Sequence, residues 1–121
     1  MSAALTPAER RQMVQQLPPL RDADARLIQR FLDAIWAEQG LARASLDSYR
    51  RDLEGLARWR DGAGDGLAGI DRAGLFDYLA WRTRHGWTAR SNARLLSALR
   101  AFFGYGLKRG ERHDDPSALL E

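Results

Sequence analysis

Cysteine is absent from the 121 residues, which removes disulfides, thiolate zinc sites and cysteine nucleophiles together and agrees with a reducing compartment. Histidine is scarce as well. His85 and His113 fall in expected loops with no partner at ligand spacing, so they read as surface or capping residues, and neither a metal nor a cofactor is expected. No apolar run approaches the ~20 residues that cross a bilayer. The start, Met1 to Leu5, lacks the charged-then-apolar layout of a signal peptide, so the expected location is cytoplasmic, without a membrane partner. Valine occurs once, at Val14, and no stretch alternates apolar with polar residues, which argues against strands. Candidates for catalysis are few. Tyr49, Tyr78 and Tyr105 fall on or beside apolar stripes, no serine has an evident base, and Asp114 and Asp115 are adjacent rather than opposed. The chain reads as a binding module, with no small-molecule ligand expected.

What remains is leucine, alanine and arginine at helical period, in a chain whose 45% hydrophobic and 9% aromatic content suffices for one core. The expected class is all-α. A short first helix begins at Thr6-Pro7-Ala8-Glu9, with Thr6 as N-cap, Pro7 in the first helical position and Glu9 closing a capping box, and it ends at Leu17-Pro18-Pro19. It reads as an arm or a loosely docked helix. A second helix over Asp22 to Gln39 buries Ile28, Phe31, Leu32, Ile35 and Trp36, and Gly40 stops it. Its acidic balance suits packing or a protein interface. A third, from Ser45 as N-cap to about Asp61, buries Leu46, Tyr49, Leu53, Leu56 and Trp59. On its far face Asp47 with Arg51, and Glu54 with Arg58, stand at the acid-first i, i+4 spacing, so these arginines are either structural or turned to a ligand.

Gly62-Ala-Gly-Asp-Gly66 reads as a flexible loop, and it lacks both the preceding strand and the Lys-Ser/Thr of a phosphate-binding loop. A fourth helix runs from Asp71 to about Arg84 and buries Leu75, Tyr78 and Leu79; His85-Gly86-Trp87 then turns the chain. The last helix, Thr88 to Arg112, carries Arg90, Arg94, Arg100, Lys108, Arg109 and Arg112 against the single acid Glu111, in a protein whose net charge is +3. At about 100° per residue, Leu95, Leu96, Leu99, Phe102, Phe103 and Leu107 share one side, and Arg90, Arg94, Ser97, Ala101 and Lys108 the other. Nothing on this helix neutralises Arg90 and Arg94, and such a face suits a phosphate backbone. The remainder, Asp114 to Glu121, is an acidic exit segment.

Phe31-Leu-Asp-Ala-Ile-Trp36, Ser45-Leu-Asp-Ser-Tyr-Arg-Arg-Asp-Leu53 with Trp59, Ser91-Asn-Ala-Arg-Leu-Leu-Ser-Ala-Leu-Arg-Ala-Phe-Phe103 and Asp115-Pro116-Ser117 occur in one order and spacing. Together they resemble the N-terminal core-binding domain of bacterial tyrosine recombinases, most closely of the XerD type. The resemblance runs from about Asp22 to Glu121. It implies a four-helix SAM-like orthogonal bundle with an extra N-terminal helical segment, divided as residues 1–20, the extension, and residues 21–121, the DNA-binding domain. It implies one arm of a clamp around double-stranded DNA, whose other arm is a catalytic domain. In that family the catalytic domain carries an Arg, a Lys, a His-x-x-Arg pair, a further His or Trp and a nucleophilic Tyr. Neither His85 nor His113 has an arginine at that spacing, so the chain alone is expected not to cut DNA and the catalytic domain is expected to be absent from it.

The helices beginning near Ser45 and Thr88 would, by the same resemblance, face the major groove. Carried over by position, Ser45 and Arg43 would hold phosphate, Ser48 and Arg51 would lie toward the groove, Arg90 would contact DNA beside Ser91, and Arg94 would read a base edge. The implied partners are double-stranded DNA and partner recombinase subunits in a tetrameric synapse. The implied role of the whole protein is site-specific recombination through a covalent phosphotyrosine, resolving chromosome dimers. Two other readings stand beside it: a stand-alone helical module that docks a protein through Trp81 and Trp87, and a DNA binder that regulates without catalysis.

Overall fold

The computed structural model describes residues 5–118 and 120; the first four residues of the extension, and positions 119 and 121 of the exit segment, lie outside them. The described residues form α1 (Pro7–Gln15), α2 (Asp22–Gln39), α3 (Arg43–Arg60), a single 3-10 turn over Ala63–Asp65, α4 (Gly66–Gly69), α5 (Arg72–Arg84) and α6 (Ala89–Lys108), with no strand among them. Four long helices, α2, α3, α5 and α6, enclose one core. Ile28 and Phe31 from α2, Leu53 and Leu56 from α3, Leu75 from α5 and Leu95, Leu99 and Phe103 from α6 are wholly or almost wholly buried, each contributing roughly 1.5–3 kcal/mol.

Local signals set most helix ends. Thr6 Oγ1 accepts from the Glu9 N–H and the Glu9 carboxylate accepts from the Thr6 N–H, which closes the capping box of α1. The same bonds hold the Glu9 carboxyl below its ordinary pKa. Asp22 and Asp24 sit favourably at the positive end of α2, and Gly40 ends that helix at φ 60°, a left-handed conformation that suits glycine. Asp71 and Thr88 cap α5 and α6 by accepting from the N–H groups of Gly74 and Ser91. His85 caps the far end of α5, its ring Nδ1 2.7 Å from the Trp81 carbonyl.

Elsewhere the expectations need correction. α3 begins at Arg43, not Ser45, with Ala42 in the capping position; the Ser45 N–H already bonds the Ala42 carbonyl at 3.0 Å. The acid-first ion pairs of α3 do not form. Glu54 instead meets Arg50 at 3.9 Å, and Arg58 turns to the main chain, donating to the carbonyls of Pro18 (2.9 Å), Leu17 (3.0 Å) and Gln15. With Arg10 donating to the Gly86 carbonyl, this docks α1 on the bundle.

Trp36 is 62% exposed: 80° around α2 from Ile28 and in its last turn, it stands at the rim of an open groove between α2 and α3. Leu107 is exposed for the same reason at the end of α6, whereas Ala101 packs against the core. Leu46, Tyr49, Trp59 and Leu79 pack there only half-buried. α6 stops at Lys108, four residues before Arg112.

The glycine-rich stretch after α3 is a built element rather than a flexible loop. It turns through the 3-10 segment into α4 and drives Leu67 and Ile70 into the core, both fully buried. Asp24 of α2, itself buried, accepts from the Leu67 N–H at 3.0 Å. Arg60 donates to the Gly66 carbonyl, and Arg112 to the carbonyls of Ala68 (2.8 Å) and Ile70 (2.7 Å) with its guanidinium over the Phe103 ring.

Candidate nucleic-acid interface

α3 and α6 lie side by side, joined by an ion pair across the seam: Arg94 Nε donates to Asp52 Oδ2 at 3.3 Å. The Asp52 side chain is 5% exposed and that of Arg94 48%. Arg94 is therefore neutralised, by α3 rather than by its own helix. The pair holds one edge of the guanidinium and leaves Nη1 and Nη2 without a partner among the described residues. Arg90, one turn earlier, and Arg51 on α3 are exposed, and neither has an ion-pair or hydrogen-bond partner there.

The serines are placed differently. Ser91 lies beneath this surface, its hydroxyl 3.4 Å from Arg82 Nη2. The Ser48 hydroxyl oxygen is covered and has no partner among the described residues. Ser45 stands in the first turn of α3, its N–H taken by the helix. Arg43 points elsewhere: 200° around α3 from Ser45, it lines the groove shared with α2, beside Trp36, Leu46 and Asp47. The structure thus brings Arg51 and Arg94 together at the α3–α6 seam, stands Arg90 exposed one turn before Arg94 on α6, and leaves Arg43 apart.

A second groove opens against that seam, about 500 Å³ in volume, walled by α1, α3, α5 and the start of α6. Arg51 and Arg94 line it, as do Arg10 and Arg11 from α1 and Arg82 from α5. These last three escaped the sequence reading. Arg82 carried a signal, since it stands four residues after buried Tyr78, on the inward stripe of α5, where a charge is out of place. Burial raises the Tyr78 phenol above its ordinary pKa while the Arg82 guanidinium draws it down. Trp81 and Trp87 form no exposed patch. They are half-buried with ring centroids 5.4 Å apart, and Trp81 also stacks on Tyr78 and meets His85 at a tilt.

With this geometry in place, comparison with known proteins decides the family. The model of the phage integrase N-terminal SAM-like domain matches residues 28–110, from the second turn of α2 to just past α6. The chain belongs to the phage integrase N-terminal SAM-like domain family. Relatives at the level of single proteins agree. The SAM-like chain is 67% identical over 119 residues to the tyrosine recombinase XerD of Xanthomonas campestris pv. campestris, covering 98% of itself and 37% of that protein. It is 68% identical over 102 residues to the XerD of Xanthomonas axonopodis pv. citri, covering 84% of itself and 33% of the relative. To the XerD of Pseudomonas aeruginosa it is 50% identical over 95 residues, 78% of itself and 32% of the relative. The chain spans about a third of the length of these curated relatives. No solved structure matches it. α1 precedes the segment that defines this SAM-like family.

Proposed function

We propose that the chain is the DNA-binding arm of a site-specific tyrosine recombinase of the XerC/XerD type, gripping the core half-site of double-stranded DNA through the major groove. The observation that carries the reading is the α3–α6 seam, where Arg51 and Arg94 meet from two adjacent helices, with Arg90 exposed one turn before Arg94, in a chain of this family. A major groove admits an α-helix, and an arginine presenting two N–H groups matches O6 and N7 of guanine. Arg94 suits base readout because Asp52 fixes one edge of its guanidinium and directs the rest outward. Arg51 and Arg90, without partners among the described residues, suit phosphates, which position a protein without reading sequence.

Residues 21–121 are then the core-binding domain and residues 1–20 its extension. Strand cleavage and rejoining, the tetrameric synapse with partner subunits and the resolution of chromosome dimers belong to the whole recombinase in the cytoplasm. This chain supplies grip rather than chemistry.

Fluorescence anisotropy of a labelled duplex bearing a chromosomal recombination half-site, beside a scrambled duplex at low and moderate salt, tests the reading. The wild-type chain is expected to prefer the half-site, with log affinity falling against log salt by about 0.9 per phosphate neutralised. Combining Arg90→Ala with Arg94→Ala is expected to remove the preference and weaken binding about tenfold or more. Unchanged affinity and preference in that variant would take the seam out of the interface.

A further inference from the structure

Among the described residues Arg82 is a buried cation without a matching anion. It is 3% exposed, Nε has no hydrogen-bond partner there, and its bond to the Ser91 hydroxyl is long at 3.4 Å. No carboxylate forms an ion pair with it among the described residues. Its guanidinium lies 5.8 Å from the centre of the Tyr78 ring and 5.4 Å from that of Trp87, so two aromatic faces offset part of the lost hydration. Aromatic faces do not replace an anion for a charge held this deep.

The surroundings are cationic as well. Of the described acids, only Asp52 lines the groove beside Arg82, and it is already bound to Arg94. Across the groove, α1 contributes Arg10 and Arg11. Arg10 is held in place by the carbonyls of Leu5 and Gly86 and lies over Trp87, whereas Arg11 is exposed and makes no hydrogen bond or ion pair among the described residues. Five arginines from four helices thus converge on one cleft around a single, occupied carboxylate. Such a cleft suits an anion.

Because Arg51 and Arg94 belong both to this cleft and to the α3–α6 seam, a duplex lying on the seam passes the mouth of the groove. We propose that the groove beneath α1 receives a backbone phosphate of the bound duplex, so that α1, outside the family segment, is a working part of the DNA grip. The inference rests on the DNA-binding reading above and extends it to Arg10, Arg11 and Arg82. Phosphate is the required chemistry, because three or more guanidinium groups around one site present the planar donors that phosphate oxygens accept.

The test compares wild type, Arg11→Ala, Arg11→Glu and the combined Arg90→Ala and Arg94→Ala variant on the same duplexes, across a salt series. Arg11 is exposed and unpaired, so its replacement leaves the fold intact, checked by circular dichroism. Arg11→Ala is expected to weaken half-site and scrambled duplex alike, about two- to tenfold at low salt, and to flatten the salt slope by about 0.9. Arg11→Glu is expected to weaken both further.

If both Arg11 variants match wild type in affinity and slope while the seam variant fails, the DNA-binding reading survives and the role of α1 is refuted. Tighter binding by either Arg11 variant would make α1 a cover over the site and also overturn the proposal. No duplex binding by wild type at low salt would bring down both readings. A last arm titrates inorganic phosphate at constant ionic strength and follows tryptophan emission, since Trp87 lines the groove. Saturable quenching that excess duplex leaves in place would assign the groove to free phosphate instead; quenching that duplex abolishes supports the backbone assignment.

Discussion

Replacing Phe31 with alanine is expected to lower the free energy of unfolding by about 3–5 kcal/mol. The ring is fully buried where α2, α3 and α6 meet. It stacks on Tyr49 with centroids 6.5 Å apart and meets Phe102 and Tyr105 edge-on at 5.4 and 5.6 Å. Truncation removes its burial and its aromatic contacts and leaves a cavity that surrounding rings fill poorly. Domains of this size are held by only about 5–15 kcal/mol, so the variant stands near the limit of folding. Urea denaturation followed by tryptophan fluorescence measures the change, with Phe31→Leu as a milder companion expected to lose less. A loss below ~1 kcal/mol for Phe31→Ala would show that the three helices do not depend on this joint.

Gly66→Ala is the second large effect, expected to cost about 2–4 kcal/mol although it adds one methyl group. Gly66 has φ 62° and ψ −136°, a conformation essentially restricted to glycine, which alone accounts for about 1–3 kcal/mol. A Cβ there would also lie 2.5 Å from Asp24 Oδ1, the atom that accepts from the Leu67 N–H. The new methyl group therefore strains the backbone and displaces the cap of α4, worth about 1 kcal/mol more. Gly104→Ala is the matched control. It lies inside α6 with open space around it, and alanine there is expected to stabilise by about 0.5–1 kcal/mol. If the two substitutions shift the urea midpoint alike, the strain at Gly66 is not real.

The same two regions mark where the sequence was legible. The bounds of α2 could be read because its apolar stripe and Gly40 are local signals, although Trp36, the last member of that stripe, lies exposed at its end. The capping box of α1 and the Thr88 cap of α6 are local too. α4 was not legible, because what organises it comes from far along the chain: Asp24 on one side and Arg112 on the other. Its glycines describe what the backbone is allowed to do, and only those distant groups decide what it does. The start of α3 was missed for a different reason. A serine cap is worth about 1 kcal/mol, and an earlier start gains helical hydrogen bonds that include the N–H of Ser45 itself.

At the candidate site, the exposure of Arg51 and Arg90 in the structure fits the basic patterning. The partner of Arg94 was hidden, since Asp52 stands 42 residues away and on another helix. Arg82 was visible in principle, as a charge in the buried register of α5, but the groove it lines takes shape only with α1 in place.

The bonds made by Arg58 and Arg112 bear on why eighteen of the nineteen basic residues are arginine. Each of these guanidinium groups reaches several carbonyls at once, Arg58 below α1 and Arg112 at the end of α4. A planar fork with five N–H groups can span such a row of oxygens; a lysine ammonium, compact and strongly hydrated, serves them poorly. A chain rewritten with lysine at both positions would keep its formal charge yet lose the mortar between its elements. Part of the positive charge that looks like surface equipment for a polyanion is joinery.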